Sequence, residues 1–505
     1  MMGAEPVDSR GSAYWTLALW LIALTGAAAY PFARSLAGFQ DGDGLMTALI
    51  STQKLTWYFW GQDRLLNFIP ALASPFSDLE TNLRVQIFLR TLFAFLAPAG
   101  ILCFLTDNRR TQALGVMMTT GIMTLALSAY GAFNLFVQHN PFATSLVLTW
   151  FAWRLFQRGG IAAQIVVVPL MAIAYAVNLA LFAVTVPLMG LIFVLGSHPR
   201  LKVLAFGLLN VVALYIAVRH AAIYGDMHGT SFGLSVSVDA MRSGYTSVAN
   251  AVAWPWVLTA CLIMLAVGTW RGVPRTLTAL GIVFGFVLMI GVLSCASWAQ
   301  DNGFNIRYYL VFVLAVVSAS VYMLFAAEEH SPLPSIVAPA ACGLLLIVGF
   351  FAGLGGISST PHAMLQPPWR NESPPIAALA IQERTPLIVG SFWDAWSAVY
   401  EVNIRADKPF VAYGGAMRGR DLRDRVAAMA SPDGTIRALC FLDTPQACAG
   451  QASNGLKTPM TPVAGDPGKV VTTGGKTVLI LALRFVDPAA ARRPAIGPWG
   501  RPYKQ

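Results

Sequence analysis

Residues 276–296 read TLTALGIVFGFVLMIGVLSCA, a run that contains no charged side chain. A helix of this length spans about 30 Å, which matches the apolar core of a lipid bilayer. Similar runs recur along the chain, in which 56% of the 505 residues are hydrophobic and only 11% are charged. The composition therefore predicts an integral membrane protein.

Apolar runs of roughly 17 to 25 residues predict about eleven transmembrane helices. They cover 13–33, 87–106, 113–131, 143–157, 161–178, 180–196, 201–218, 252–268, 276–296, 307–325 and 333–354. Arg and Lys residues cluster in alternate short loops, which the positive-inside rule assigns to the cytoplasm together with the amino terminus. The loops 34–86 and 219–250 and everything after 354 then lie on the outer side. Because the net charge of +10 is spread over these short loops, we predict no nucleic-acid binding.

The region after residue 354 changes character and predicts a second domain. A Pro-rich linker is followed by short apolar runs, among them PLIVGSFW, IRALCFLD and KTVLILALRF, which alternate with helical patterns. This order is typical of a small α/β domain. We therefore predict an α-helical polytopic membrane domain over 1–354 and a soluble α/β domain over 355–505. Within that domain Cys440 and Cys448 can close a disulfide in an oxidising compartment, and two free thiols are the alternative.

An acidic pair, Asp41-Gly42-Asp43, follows the first predicted span within the loop 34–86. Behind it, Leu and Met or Ile residues recur at helical spacing up to the aromatic run at 57–60, which predicts an interfacial helix on the membrane surface. A purely structural interpretation is that the pair forms a turn and that Asp43 caps this helix.

The arrangement resembles the GT-C superfamily of polytopic membrane glycosyltransferases, which use polyprenyl-phosphate sugars. The resemblance rests on many spans, on Asp41-Gly42-Asp43 with the helix behind it, and on Asn305-Ile306-Arg307-Tyr308 before span ten. It implies an inverting enzyme on the outer face of a bacterial inner membrane, acting on a glycan, lipid or protein acceptor.

Transfer of a sugar from a polyprenyl phosphate requires a carboxylate that takes the proton of the acceptor hydroxyl. We predict that Asp43 is this base, and that Asp41 positions it or joins it in holding a divalent cation such as Mg²⁺ or Mn²⁺. The chemistry does not require the metal. The leaving phosphate is a weak base, so cationic side chains can replace a general acid.

Arginines on the outer side are the predicted phosphate partners, because a guanidinium grips phosphate through two parallel hydrogen bonds. Arg307, followed by Tyr308, is the first candidate, and Arg84 and Arg90 flank the start of span two. The alternative for each arginine is snorkelling to lipid headgroups.

Further polar residues are candidates for sugar hydroxyls. Gln62, Asp63 and Arg64 form a polar run after the aromatic residues, and His139 lies in another outer loop. An Asp63–Arg64 surface pair is the structural alternative. Trp393 and Asp394 lie at the end of the first predicted strand of the α/β domain. We expect Trp393 to be a buried core residue, and the alternative is that both residues face the acceptor.

Two other functions fit the span count. A polymerase or ligase of the O-antigen type would place Arg and His residues in a large outer loop, for which 219–250 is the nearest match. A transporter would place ionisable residues near the middle of its spans, which these runs lack.

Overall fold

The computed structural model describes residues 9–32, 40–138, 141–195, 198–225, 233–328, 337–359, 369–407 and 410–493. The chain divides into two compact units. The helical unit comprises Met1–Ser35, Ile87–Ala217 and Gly229–Pro361, and the mixed unit comprises Leu36–Gln86, Val218–His228 and His362–Gln505. The first outer loop predicted from the sequence thus packs with the carboxyl-terminal region in one unit.

In chain order, the described α-helices are α1 (Ser9–Phe32), α2 (Gly42–Gln53), α3 (Phe68–Ala73), α4 (Leu79–Leu96), α5 (Ala99–Leu105), α6 (Arg109–Ala126), α7 (Ala129–Ala132), α8 (Pro141–Arg158), α9 (Ile161–Val177), α10 (Phe182–Leu195), α11 (Arg200–Tyr224), α12 (Val238–Ala251), α13 (Trp254–Trp270), α14 (Thr276–Ser294), α15 (Ser297–Asp301), α16 (Leu310–Glu328), α17 (Val337–Ser359), α18 (Trp369–Gln382), α19 (Phe392–Arg405), α20 (Arg423–Met429), α21 (Pro445–Leu456) and α22 (Pro488–Arg492). A π-helical turn covers Phe133–Val137, and 3₁₀ turns cover Leu179–Leu181, Ile306–Tyr308 and Gly419–Leu422.

Each predicted span coincides with a helix, or with the consecutive helices α4 and α5 for 87–106. By length and composition, three described stretches are long and apolar enough to cross a membrane: Leu79–Leu105, Arg200–Tyr224 and Thr276–Ser294. Shorter apolar stretches occur at Ala13–Ala28, Trp254–Trp270, Leu310–Ala326 and Pro339–Gly349. The number of crossings and their orientation stay predictions.

Two of the predicted spans form a bent pair. Helices α9 and α10 meet at 112° across the short break after Val177, as a broken span or a re-entrant loop would. Asn178 stabilises the break, because its side chain accepts a hydrogen bond from the N–H of Ala180 at 3.1 Å. Sequence alone treated the two helices as independent crossings.

Helix α16 lies at the centre of the helical unit. It packs against α5, α6, α13 and α14, and nearly all its described side chains are buried. The helix carries no Lys or Arg, so it can be enclosed by other helices without burying a cation.

The mixed unit contains the strands β1 (Leu387–Val389), β2 (Tyr413–Gly414), β3 (Thr435–Cys440), β4 (Met460–Pro462), β5 (Lys469–Thr473) and β6 (Lys476–Phe485). Their order is β2-β1-β3-β6-β4, and β5 also pairs with β6. Strand β1 is parallel to β2 and β3, whereas β6 is antiparallel to its partners. The chain is therefore an α-helical polytopic membrane protein with a carboxyl-terminal α/β domain, as predicted.

Helix α2 differs from the predicted interfacial helix. Its residues from Leu45 to Ser51 are all buried, and it packs against α3 and α19. The aromatic residues that follow are mostly buried too, with Trp60 at 0% exposure. The apolar periodicity was correctly identified, but the partner of the apolar face is the mixed unit itself rather than a membrane surface.

Cys440 and Cys448 form a disulfide that joins the end of β3 to α21. Both cysteines are fully buried, with a Cα–Cα distance of 5.9 Å. Cys103, Cys261, Cys295 and Cys342 are buried as well. The disulfide closes a short loop at the edge of the domain core.

We expect that replacing both Cys440 and Cys448 by Ser lowers the free energy of unfolding by roughly 2–3 kcal/mol, because the loop regains freedom in the unfolded chain. Thermal unfolding of the full-length protein, with and without a reductant, measures this effect. Reductant should destabilise the wild type and leave the double variant unchanged. Equal stability of the two proteins under oxidising conditions would contradict a structural role for the disulfide.

Candidate active site

The acidic pair lies at the amino end of α2, and its two members do different things. Asp41 is the N-cap, because its Oδ1 accepts a hydrogen bond from the N–H of Gly44 at 2.9 Å. Asp43 lies in the first helical turn. The structural alternative drawn from the sequence therefore applies to Asp41, and Asp43 is not the cap.

Asp43 is paired with an arginine of the α/β domain. Nη1 of Arg418 donates a hydrogen bond to Oδ1 of Asp43 at 2.7 Å, and both side chains are largely buried. Charged hydrogen bonds of this kind are short and roughly twice as strong as neutral ones. The pair places a carboxylate and a guanidinium at one point, next to the start of α2.

Aromatic rings surround the guanidinium of Arg418. Its Cζ lies 5.0 Å from the ring centre of Phe59 and 4.7 Å from that of Phe392. Such cation–π contacts favour the charge and limit the access of water to it. A lower local dielectric also strengthens the attraction between Arg418 and Asp43.

The backbone of Arg418 is in the left-handed region, with φ 75°. A non-glycine residue in this region costs of order 1 kcal/mol, and such strain is common at functional sites. The cost is offset by packing, because the backbone of Gly61 approaches so closely that a Cβ there would lie 3.1 Å from Cα of Arg418. Gly61 itself has φ 67°.

Two further polar contacts join the segment behind α2 to the turn after Arg418. Nζ of Lys54 contacts both carboxylate oxygens of Asp424, at 2.7 and 2.9 Å. Oδ2 of Asp421 accepts a hydrogen bond from the N–H of Gly61 at 2.7 Å. Together these contacts fix the distance between the loop that carries Asp43 and the turn that carries Arg418.

The predicted sugar-binding run lies in the same unit. Gln62 and Asp63 are partly buried, Arg64 is exposed, and the backbone of Asp63 lies against Gly225. Burial raises the pKa of the Tyr58 phenol, and the charge of Asp63 adds to this rise. The Tyr58 hydroxyl is 2.8 Å from Nδ1 of His220, so this part of the loop is held against the end of α11.

The predicted phosphate-binding arginines fall into two groups. Arg84 belongs to the mixed unit, is exposed, and pairs with Glu80 at 2.6 Å. Arg90 and Arg307 belong to the helical unit, where Arg90 is buried and donates a hydrogen bond to the carbonyl of Val137. Arg307 stacks over the ring of Tyr308 and donates a hydrogen bond to its hydroxyl at 3.1 Å. His139 lies outside the described residues.

Asp41 and Asp43 were also predicted to hold a divalent cation. Within the described ranges, no group of three or more His, Cys, Asp or Glu side chains is arranged to hold a metal ion. The guanidinium of Arg418 already contacts Asp43 and would compete with a cation for the same oxygen. The assignment of a divalent cation to Asp41 and Asp43 stays a prediction.

Sequence reasoning missed Arg418. It is one of 34 Lys and Arg residues, and it lies 375 positions away from the aspartate that it contacts. The sequence GAMRGR around it has glycines on both sides, which indicates a tight turn but no binding role. The signal appears only once the backbone conformation of Arg418 is known.

Comparison with solved structures gives a similarity in fold, whereas the other two comparisons give none. No protein-family model matches the chain, and no curated protein matches it. The chain is similar to the crystal structure of ArnT from Cupriavidus metallidurans bound to undecaprenyl phosphate, with 12% sequence identity and a TM-score of 0.47. The alignment covers 97% of this chain and 100% of that one.

We expect Gly61→Ala to destabilise the protein by about 1–3 kcal/mol more than Gly475→Ala does, because only the first variant overpacks the backbone of Arg418. Gly475 is the matched control, because it has a similar φ of 73° and no atom within 4 Å of an added Cβ. Both variants pay the cost of a left-handed alanine. Thermal unfolding of the full-length proteins measures the difference, and equal losses would show that the approach of Gly61 to Arg418 is not tight.

Proposed function

We propose that the protein is an inverting membrane glycosyltransferase that moves a sugar from a polyprenyl-phosphate donor to a glycan, lipid or protein acceptor. Its site would lie on the outer face of a bacterial inner membrane. The observation that carries the proposal is the pairing of Asp43 with Arg418 at the start of α2. It supplies a carboxylate, held by a fixed cation, at the place where the GT-C resemblance expects the base.

In the proposed reaction, Asp43 takes the proton of the acceptor hydroxyl as its oxygen attacks the anomeric carbon of the donor sugar. The bond between that carbon and the phosphate oxygen breaks, and the polyprenyl phosphate leaves with the electron pair. A single displacement of this kind inverts the configuration of the anomeric carbon. Phosphate is a weak base, so the reaction needs no second carboxyl as a general acid.

Arg418 acts through Asp43 in this scheme and is a positioning residue. Its hydrogen bond to Oδ1 fixes the orientation of the carboxylate, and a near-attack geometry depends on such orientation. Arg307 stays the predicted partner of the phosphate, and Arg84 and Arg90 are the further candidates. A polyprenyl phosphate such as undecaprenyl phosphate is the proposed lipid partner.

We expect Asp43→Asn to lower transfer by about 10²- to 10⁴-fold, because an amide cannot accept the proton. Asp41→Asn is the matched control and should keep most of the activity, since Asn caps helices about as well as Asp. The assay incubates the purified protein with a panel of undecaprenyl-phosphate sugars. Mass spectrometry detects released undecaprenyl phosphate, and NMR reads the anomeric configuration of the product.

Full activity of Asp43→Asn would remove the proposed base. Loss of activity in Asp41→Asn alone would reverse the two roles. The size of the transferred group separates the alternatives, because a polymerase or ligase would move a whole glycan rather than one sugar.

We expect Arg418→Ala to lower kcat strongly with little change in the KM for the lipid donor, and Arg418→Lys to restore part of the loss. Arg484→Ala is the control, because Arg484 and Asp433 form an ion pair on the same domain that is exposed on both sides and is therefore worth little. Steady-state kinetics on folded variants measure the effect. A rise in the donor KM with unchanged kcat would instead show that Arg418 binds the phosphate.

A further inference from the structure

Two tryptophans of α19 have opposite environments. Trp396 is 0% exposed and donates a hydrogen bond from its indole to the carbonyl of Met417, so it is the core tryptophan of the domain. Trp393 is 46% exposed. The sequence-based expectation that Trp393 is a buried core residue is therefore wrong, and its exposed ring needs another explanation.

One edge of Trp393 lies directly beside the acidic pair. A Cβ on Gly42 would lie 3.1 Å from Cε3 of Trp393 and 3.1 Å from Cε1 of Phe392. The two rings meet edge to face, with their centres 4.9 Å apart. Since Phe392 also contacts Arg418, a molecule that covers the exposed part of Trp393 lies next to the segment that carries Asp43.

The residue after Trp393, Asp394, belongs to a small cluster of charged and polar side chains. Asp394 accepts a hydrogen bond from Ser391 at 2.6 Å and lies 3.3 Å from Nζ of Lys476. Lys476 also pairs with Glu372 at 3.3 Å. All three charged side chains are partly exposed, so a molecule bound at the surface can form hydrogen bonds with them.

A partly exposed indole, followed in the chain by a partly exposed carboxylate that pairs with an ammonium, suits a sugar ring. The face of the indole carries negative charge, which attracts the C–H groups on one face of a pyranose. The hydroxyls at the rim of the ring can then bind Asp394 or Lys476. Ligand sites commonly combine an aromatic surface with a few polar groups in this way.

The charges also indicate whether the bound ring belongs to the phosphate-linked donor or to the acceptor. Asp394 and Glu372 carry two negative charges against one positive charge on Lys476, which disfavours a phosphate group. The acceptor, by contrast, must bring a neutral hydroxyl to Asp43.

We propose that Trp393, together with Asp394 and Lys476, forms a subsite for a sugar ring of a glycan acceptor. The assignment of this ring to the acceptor rests on the proposed function, whereas the binding of a saccharide to Trp393 does not. Of the three acceptor classes, glycan, lipid and protein, such a subsite favours a glycan.

The experiment measures saccharide binding to the full-length protein in phosphatidylcholine nanodiscs. A microarray of neutral hexose and pentose oligosaccharides is the first probe, and titration calorimetry follows with the oligosaccharide that binds best. We expect Trp393→Ala to weaken binding by about tenfold and Trp393→Tyr to retain most of it, because tyrosine keeps an aromatic face. Trp57→Ala is the matched control, since Trp57 belongs to the same unit and is 52% exposed. Its affinity should equal that of the wild type.

The results separate the two proposals. Binding that depends on Trp393, in a wild type that transfers no sugar, would support the subsite and count against the glycosyltransferase. Absence of binding to every oligosaccharide, or equal binding by the wild type and Trp393→Ala, would overturn the subsite even if transfer is observed.

Discussion

The ion pair between Asp43 and Arg418 is the contact on which the candidate site depends. It joins side chains 375 positions apart, one in the loop after the first helix and one in the carboxyl-terminal domain. Both side chains are largely buried, so removal of one partner leaves the other as a largely buried charge without its counter-ion. The rings of Phe59 and Phe392 strengthen this dependence, because they displace water from the guanidinium.

The folding of α2 follows from the same constraint. A carboxylate can be held in a fixed orientation only if its helix cannot move, and α2 is buried along most of its length. Asp41 closes the start of the helix, Lys54 ties the segment behind it to Asp424, and Gly61 lets the chain pass close to Arg418. The two aspartates of the motif thus have different roles, since Asp41 caps the helix and Asp43 pairs with Arg418.

The sequence predicted what depends on local pattern. Apolar runs located the predicted spans of the helical unit, and short apolar runs located β1, β3 and β6 of the α/β domain, because these patterns reflect burial within one element. They did not locate α12, which lies largely in the segment predicted as the outer loop 219–250. Periodicity also found α2, but it could not tell which surface the apolar face covers. A membrane surface and a protein core both accept an apolar face, so α2 was assigned to the wrong one. For Trp393 and Trp396, the helical spacing does not decide which of the two faces the core when both flanks contain polar residues.

The contact of Arg418 was beyond sequence reasoning for a different reason. A cation that pairs with a distant aspartate leaves no local periodicity, and its left-handed backbone is visible only in three dimensions. Phosphate chemistry predicts cations beside the spans, whereas nothing in the sequence of the α/β domain marks Arg418 as a partner of the acidic pair.

This arrangement has a consequence for how such a protein can change its acceptor. Arg418 and Phe392 touch the acidic motif directly, so substitutions there disturb the carboxylate itself. Trp393 lies beside Gly42 of the same motif, whereas Asp394 and Lys476 pair with each other. Changes at Asp394 and Lys476 can therefore alter which molecule is bound while the carboxylate and its cation stay in place. The domain would then complete the proposed base and also present a recognition surface that can be exchanged.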